Sequence, residues 1–231
     1  MKLCVIPARG GSKRIQKKNI KKFCGKPIIA WSIQLAITSK YFDKIIVSTD
    51  DDEIADLARR YGADVPFVRP KILSNDYTGT VPVISHAIKW QIKHYQKPTY
   101  VCCIYATAPF VKLSDLKYGL KILKNSNSEY AFSATNFAYP IQRSFRIKKN
   151  KKIKMFYPEH YNSRSQDLEE AFHDAGQFYW GLTDSWLKNK PIVSENAIPI
   201  ILPRYRVHDI DTLEDWQIAE RMFRITNKKK L

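Results

Sequence analysis

The chain has 231 residues, of which 44% are apolar and 26% charged, and this composition excludes the disordered and fibrous classes. Thirty-nine Lys and Arg residues against twenty-two Asp and Glu residues give a net charge of +17. Such an excess indicates an anionic partner: nucleic acid, a phosphate compound, an acidic small molecule or an anionic membrane surface. The length predicts one large domain, or one domain with an excursion.

Cysteine usage and hydropathy indicate the compartment. The four cysteines, Cys4, Cys24, Cys102 and Cys103, form no CxxC pair, so neither a zinc site nor a redox pair is indicated. Three of them lie in apolar, strand-like runs, which predicts buried free thiols in a reducing compartment. The apolar part of the N-terminus is too short for a signal peptide, and no stretch approaches the ~18 apolar residues of a membrane span. We therefore expect a cytoplasmic protein.

Strands and helices alternate over the first 134 residues. Short apolar runs predict buried strands at 3–6, 44–49, 99–105 and 130–134. Helical periodicity and capping signals predict helices at 27–37, 53–61, 81–95 and 114–123. This alternation predicts an α/β fold with a mostly parallel sheet and helices on both faces. Ligands of such sheets bind at the carboxyl ends of the strands, where the unusual loops of this chain fall.

The alternation lapses at residues 139–174. This stretch is polar and carries five lysines, Lys148, Lys149, Lys151, Lys152 and Lys154. We predict a core of residues 1–138 and 175–231, with 139–174 inserted as an excursion. A solvated hairpin tip is the preferred interpretation of the lysines, and a nucleic-acid patch is the alternative. Strands are predicted again at 177–181 and 197–202, followed by an amphipathic helix at 212–223 and a basic tail, 228–230, that we expect to be frayed.

The first predicted strand runs into a glycine-rich basic loop, Pro7-Ala-Arg-Gly-Gly-Ser-Lys-Arg14. Gly10 and Gly11 permit close approach of the backbone to a ligand, and successive loop amides can form an anion-binding nest. The loop and its continuation carry five cations: Arg9, Lys13, Arg14, Lys17 and Lys18. The endings typical of the nucleoside triphosphatase loop and of the dinucleotide fingerprint are both missing. The pattern predicts a cradle for a polyphosphate, and the alternative is a basic surface turn.

A second constellation is His208-Asp-Ile-Asp211. On an extended segment, Asp209 and Asp211 point the same way with their Cα atoms roughly 6–7 Å apart. Two carboxylates at this spacing suit a hard divalent cation such as Mg²⁺. Alternatively, they are turn aspartates that cap the next helix. The neighbouring phosphate loop favours the metal interpretation.

Four runs, CVIPARGGSKRIQKKN, GKPIIAWSI, VSTDDDEIA and HDIDTLEDW, together resemble the sugar-acid cytidylyltransferases, which include the sialic acid activating enzymes. The run SRSQDLEEAFHDAGQFYWG is most similar to the bacterial pseudaminic acid branch of that family. The resemblance implies a Rossmann-like nucleotidyltransferase fold and a homodimer in which residues 139–174 form the dimerisation arm. It also implies transfer of CMP from CTP to the anomeric hydroxyl of a nine-carbon acidic sugar, with Mg²⁺ as cofactor and pyrophosphate as product.

The resemblance also assigns residues. Nucleotide contacts fall on Arg9, Gly10, Gly11, Ser12, Lys13, Lys18, Asn19, Arg69 and Asp76. Asp209 and Asp211 match the metal carboxylates and, with Lys18, make up the expected catalytic set. Sugar contacts fall on Tyr105, Arg164, Gln166, Gln177 and Tyr179. Tyr105 stands where the sialic acid enzymes carry Gln, which argues against sialic acid itself.

Two alternatives stay open. The sugar could be sialic, legionaminic or ketodeoxyoctonic acid instead of pseudaminic acid. From a different class, the charge of +17 is also typical of a nucleic-acid-binding protein. The chain carries no signature of a nucleic-acid-binding module, and its lysines are spread along the sequence. We therefore expect CTP and a sugar acid as partners, and neither nucleic acid nor a membrane.

Overall fold

The computed structural model describes residues 1–227, which contain ten strands and six α-helices. The basic tail at 228–230, expected to be frayed, lies outside the described residues. The strands are β1 (Lys2–Pro7), β2 (Lys22–Phe23), β3 (Lys26–Pro27), β4 (Lys44–Ser48), β5 (Tyr100–Ile104), β6 (Tyr130–Asn136), β7 (Phe145–Ile147), β8 (Ile153–Met155), β9 (Phe172–Leu182) and β10 (Ala197–Ile201). The helices are α1 (Ile28–Ser39), α2 (Asp52–Arg60), α3 (Thr80–His94), α4 (Leu113–Lys124), α5 (Thr183–Leu187) and α6 (Leu213–Thr226).

Six strands form the central sheet, in the order β10-β6-β9-β5-β1-β4. β1 pairs in parallel with β4 and β5, and β10 pairs in parallel with β6. β9 runs antiparallel to both of its neighbours, β5 and β6. The prediction of a mostly parallel sheet is confirmed. The antiparallel direction of β9, its start at Phe172 and the short helix α5 were not predicted.

Alternate residues of the strands supply two cores, one on each face of the sheet. Cys4 and Ile6 of β1 point to the face covered by α1, α2 and α4. Leu3 and Val5 point to the opposite face, which α3 and α5 cover. Because side chains alternate along a strand, one short apolar run fills both faces. The expectation of helices on both faces is therefore confirmed.

A third apolar cluster holds the glycine-rich loop against the last helix. Ile15 of the loop and Ile210, between the two aspartates, are both buried in it. The ring of Phe23 lies edge-on to Trp216 and Phe223 of α6, with centroids 5.5 and 5.4 Å away. This packing brings the basic loop, near the start of the chain, beside the Asp209–Asp211 segment.

Two further expectations concern the state of the cysteines and the absence of membrane-spanning helices. Cys4, Cys24, Cys102 and Cys103 are all free and buried, as predicted. Burial raises the pKa of each of these thiols, which makes them unreactive at neutral pH. No helix within residues 1–227 combines the length and apolarity needed to cross a bilayer.

Residues 139–174 contain three single-turn 3₁₀ helices and the antiparallel hairpin of β7 and β8. The lysines at the hairpin tip are exposed, as predicted for a solvated tip. The expected boundary of the excursion at 174 falls inside β9, because that strand already begins at Phe172.

Candidate active site

A cleft of about 550 Å³ opens at the carboxyl ends of β1 and β5. The loop after β1, residues 69–80 and the end of β5 form its walls. Eight of the residues expected at the site line it: Arg9, Ser12, Lys13, Lys18, Asn19, Arg69, Asp76 and Tyr105. With Arg14, five of the lining side chains are cationic. The structure therefore gathers distant parts of the chain into one positively charged cleft.

The glycine-rich loop is shaped by packing on two aspartates that follow β4. A Cβ atom at Gly10 would lie 2.5 Å from the Asp51 carboxylate and 2.9 Å from its Cβ, so only glycine fits there. The Gly10 amide donates to Asp50 Oδ1 at 3.2 Å. A Cβ at Gly11 would meet nothing within 4 Å, and neither glycine lines the cleft. The close approach of Asp51 therefore requires glycine at position 10.

Asp76 holds two cations of the loop in place. Its carboxylate accepts from Arg9 Nη1 and from Lys13 Nζ, each at 2.6 Å. The hydrogen bonds from Lys13 and Arg9 lower the pKa of Asp76. Asp76 was expected to contact the nucleotide. In the structure it lines the cleft as the counter-ion of these two cations.

Arg69 is almost fully buried, with 4% of its surface exposed. Its Nε donates to Ser74 Oγ at 3.0 Å, and its Nη2 lies 3.4 Å from Asp50 Oδ1. Burial lowers the pKa of the Arg69 guanidinium, and the Asp50 carboxylate opposes that shift. Asp50 Oδ1 therefore contacts both Arg69 and the Gly10 amide, a bridging role that the sequence pattern did not single out. Asp51 instead caps α2 by accepting from the Ile54 amide at 2.9 Å.

Lys18 connects the basic loop to the aspartate pair. Its Nζ donates to the Ile210 carbonyl oxygen at 2.6 Å and lies 3.5 Å from Asp211 Oδ1. Arg14 Nη2 lies 2.7 Å from the same Asp211 oxygen. Lys17 points the other way and donates to Glu53 at 2.6 Å. Of these two adjacent lysines, only Lys18 lines the cleft.

Asp209 and Asp211 lie beside the cleft without lining it. Burial raises the pKa of the Asp209 carboxyl, and repulsion from Asp211 raises it further, against the opposing effect of Lys18 and Arg14. Residues 1–227 hold no group of three or more His, Cys, Asp or Glu side chains that could bind an ion without other ligands. Two hard oxygen donors that repel each other fit a magnesium ion whose other ligands are phosphate oxygens and water.

The residues expected to contact the sugar separate into three groups. Tyr105 lines the cleft, and the ring of Tyr179 packs against it with centroids 5.2 Å apart. Gln177 is buried and donates from Nε2 to the Arg206 carbonyl oxygen at 2.5 Å, so the structure does not bring it to the cleft. Arg164 and Gln166 lie on an exposed turn of the excursion, where Arg164 pairs with Asp167 at 2.7 Å.

The architecture is that of an α/β nucleotidyltransferase. A cationic cleft lies at the strand ends of a mainly parallel sheet, and a pair of carboxylates lies beside the cleft. The solved structure of CMP-2-keto-3-deoxy-manno-octonic acid synthetase in complex with CTP has the same fold. It superposes with a TM-score of 0.70 over 97% of this chain and 99% of its own, at 14% identity.

A cytidylyltransferase family model matches residues 3–225, and the chain belongs to that family. It is 45% identical over 226 residues to the pseudaminic acid cytidylyltransferase of Campylobacter jejuni, an alignment that covers 98% of this chain and 97% of the relative. It is 32% identical to the CMP-N,N′-diacetyllegionaminic acid synthase of Legionella pneumophila, over 98% and 97% of the two chains. The resemblance to sugar-acid cytidylyltransferases is thereby confirmed, and the chain is a CTP-dependent nucleotidyltransferase.

Proposed function

We propose that this enzyme transfers CMP from CTP to the anomeric hydroxyl of pseudaminic acid and releases pyrophosphate. The observation that carries the proposal is the 45% identity to the Campylobacter jejuni pseudaminic acid cytidylyltransferase along the whole chain. The relative named for diacetyllegionaminic acid is only 32% identical, which favours pseudaminic acid as the sugar. CTP is an intracellular nucleotide, so a cytoplasmic location belongs to the same proposal.

The cations of the cleft hold the triphosphate. Arg9 and Lys13 are already positioned by Asp76, and phosphate oxygens can replace that carboxylate as their acceptor. Arg69 is fixed by its contacts to Ser74 and Asp50, so it loses little freedom on binding. Ser12 and Asn19 add neutral polar groups to the same wall.

Asp209 and Asp211 hold Mg²⁺ in this proposal. When bound, the ion neutralises charge on phosphate oxygens and assists departure of pyrophosphate. Arg14, which pairs with Asp211 in the described structure, also lines the cleft and can turn to the phosphates. The five basic side chains of the cleft repel Mg²⁺. The negative charge of Asp209 and Asp211 offsets this repulsion and allows the ion to bind.

Catalysis rests on positioning and charge neutralisation. The anomeric oxygen attacks the α-phosphorus of CTP, and no enzyme nucleophile takes part. Lys18 is fixed by the Ile210 carbonyl and lines the cleft, so its ammonium is oriented before the substrate arrives. Prepositioned cations of this kind stabilise charge that develops in the transition state without a cost of reorganisation. Lys18, Asp209 and Asp211 are therefore the catalytic residues of this proposal.

A homodimer completes the proposal. The β7–β8 hairpin pairs Phe145 with Met155 and Ile147 with Ile153, which places four apolar side chains on one face. Phe145, Ile147 and Ile153 are more than half exposed in the single chain. A second copy that covers this face would bury them and bring the exposed turn with Arg164 and Gln166 toward a sugar pocket.

Light scattering of dilute protein tests the dimer. We expect twice the 26.9 kDa mass of one chain. Ile147→Asp should shift the protein toward monomer, whereas Arg146→Asp, on the opposite face of the same strand, should leave the dimer intact. A fully active monomer, or equal effects of the two substitutions, would contradict a dimer through this face.

Pyrophosphate release with a panel of sugar acids tests the reaction itself. We expect release from CTP in the presence of pseudaminic acid and Mg²⁺, and much slower release with sialic, legionaminic or ketodeoxyoctonic acid. Faster turnover of another sugar acid would keep the reaction and replace the substrate. No release with any sugar acid would reject the proposal.

A further inference from the structure

A large β-bulge interrupts β9 close to the Tyr105 wall of the cleft. Phe132 of β6 pairs with Tyr179, and Ala134 pairs with Asp174, so two steps along β6 match five steps along β9. Gly176 takes a φ of 61° within the bulge. Bulges beside active sites commonly redirect a side chain. Here the redirected residue is Asp174.

The bulge is tightly held by side chains. Ser133 Oγ accepts from the backbone amides of Gln177 at 3.2 Å and Phe178 at 3.0 Å. The Gly176 amide donates to Asp174 Oδ1 at 2.8 Å. The bulge therefore forms a fixed platform for the Asp174 carboxylate.

Tyr179 links this carboxylate to the cleft. Its hydroxyl donates to Asp174 Oδ2 at 2.8 Å and lies 3.0 Å from Oδ1. Its ring, only 2% exposed, packs on Tyr105, whose hydroxyl lies 2.5 Å from Thr80 Oγ1. Tyr105 and Thr80 both line the cleft. Burial raises the pKa of the Tyr179 hydroxyl, so it stays protonated and keeps donating to Asp174 at neutral pH.

Asp174 has no cationic partner among the residues that the structure describes. None of the ion pairs within residues 1–227 includes it, although the chain has a charge of +17. A carboxylate has about four acceptor positions, and the single protons donated by Tyr179 and Gly176 occupy two of them. The residue is exposed, so its carboxylate can be reached from solvent, although it does not itself line the cleft.

The chemistry of the substrates determines what this oxygen can bind. Both the triphosphate and the carboxylate of a sugar acid are repelled by Asp174. The groups that remain are neutral donors, namely hydroxyl and amide N–H groups of the sugar. We infer that Asp174 is a specificity-determining residue that accepts a hydrogen bond from such a donor, and that Tyr179 is the residue that positions it. This inference rests on the proposed function.

The test separates sugar binding from nucleotide binding. Asp174→Asn, Tyr179→Phe and the control Asp184→Asn, an exposed carboxylate just beyond the other end of β9, are compared with the wild-type enzyme. Steady-state kinetics give KM for the sugar acid, and calorimetry without sugar gives Kd for CTP. We expect Asp174→Asn to raise the sugar KM about 10- to 150-fold, the range for a hydrogen bond to a charged group. Tyr179→Phe should act in the same direction by a smaller factor.

In both variants, Kd for CTP should stay within about twofold of wild type, and Asp184→Asn should change neither constant. A sugar KM within twofold of wild type in folded Asp174→Asn overturns the inference. So does a loss of kcat at unchanged sugar KM, which would indicate proton transfer by Asp174. If Asp174→Asn does not fold, an unchanged sugar KM in Tyr179→Phe overturns the inference that Tyr179 positions Asp174 for the sugar. Failure of the wild-type enzyme to use any sugar acid rejects the proposed function instead.

Discussion

Replacing Lys18 with methionine removes one ammonium group from the cleft while keeping a side chain of similar length. The Lys18 Nζ atom lies 2.6 Å from the Ile210 carbonyl oxygen and 3.5 Å from Asp211 Oδ1. The side chain is 21% exposed, so this charge is only partly screened by water. The substitution therefore removes a fixed cation from the wall expected to hold the triphosphate.

A hydrogen bond from a charged donor contributes about 1.5–3 kcal/mol. Since 1.4 kcal/mol corresponds to a factor of ten, Lys18→Met should lower kcat/KM for CTP roughly 10- to 150-fold. The loss should fall on kcat as well as KM, because the ammonium also stabilises charge in the transition state.

The adjacent residue provides the matched control for this experiment. Lys17 Nζ binds Glu53 at 2.6 Å on α2 and does not line the cleft. A surface ion pair contributes at most about 1 kcal/mol to stability, so Lys17→Met should leave kcat/KM for CTP within about twofold of wild type. Steady-state pyrophosphate release at saturating sugar acid measures both variants. Equal losses in both, or no loss in Lys18→Met, would refute the assignment of Lys18.

Three further substitutions test the proposed metal ligands, the buried Asp115–Arg206 ion pair and the expected sugar contact of Arg164. Asp211→Asn should lower turnover at least ~100-fold and raise the Mg²⁺ concentration required, because it removes a charge from the proposed ligand pair. A magnesium titration with a wild-type midpoint would argue against that role. Asp115→Ala leaves the Arg206 guanidinium, only 7% exposed, without its partner at 2.6 Å, and should lower the free energy of unfolding by about 3–5 kcal/mol in urea. A loss below about 1 kcal/mol would contradict it. Arg164→Ala should raise KM for the sugar acid and leave KM for CTP unchanged, and equal changes in both would count against a sugar contact.

Local patterns in the sequence were sufficient for most of the elements. Each parallel strand is a short apolar run between polar turns, so its position could be predicted without its partners. For β9 only the stretch 177–181 was predicted, because its first five residues, Phe-His-Asp-Ala-Gly, lack the apolar run of a buried strand. Its antiparallel direction depends on pairing with β5 and β6, which the alternation of elements does not reveal.

The parts of the candidate site that are contiguous in the sequence could be predicted. The basic loop and the aspartate pair are contiguous patterns, and the structure places them side by side. Asp50 contacts Arg69, nineteen positions later, and the Gly10 amide, forty positions earlier, so its part in the site depends on contacts between distant residues. Lys17 and Lys18 point apart because Lys17 takes a φ of 51°, which residue type does not reveal. Gln177 was assigned to the sugar only through the family resemblance, and its amide instead donates to the Arg206 carbonyl oxygen, a contact between distant residues that the sequence does not reveal.

One end-point assay tests whether this enzyme joins CMP to pseudaminic acid. Purified enzyme is incubated with CTP and Mg²⁺, with and without pseudaminic acid, and both CMP-sugar and pyrophosphate are measured. We expect equal amounts of the two products, formed only when CTP and the sugar acid are both present. Pyrophosphate release without the sugar, or no CMP-sugar with it, would rule out this reaction.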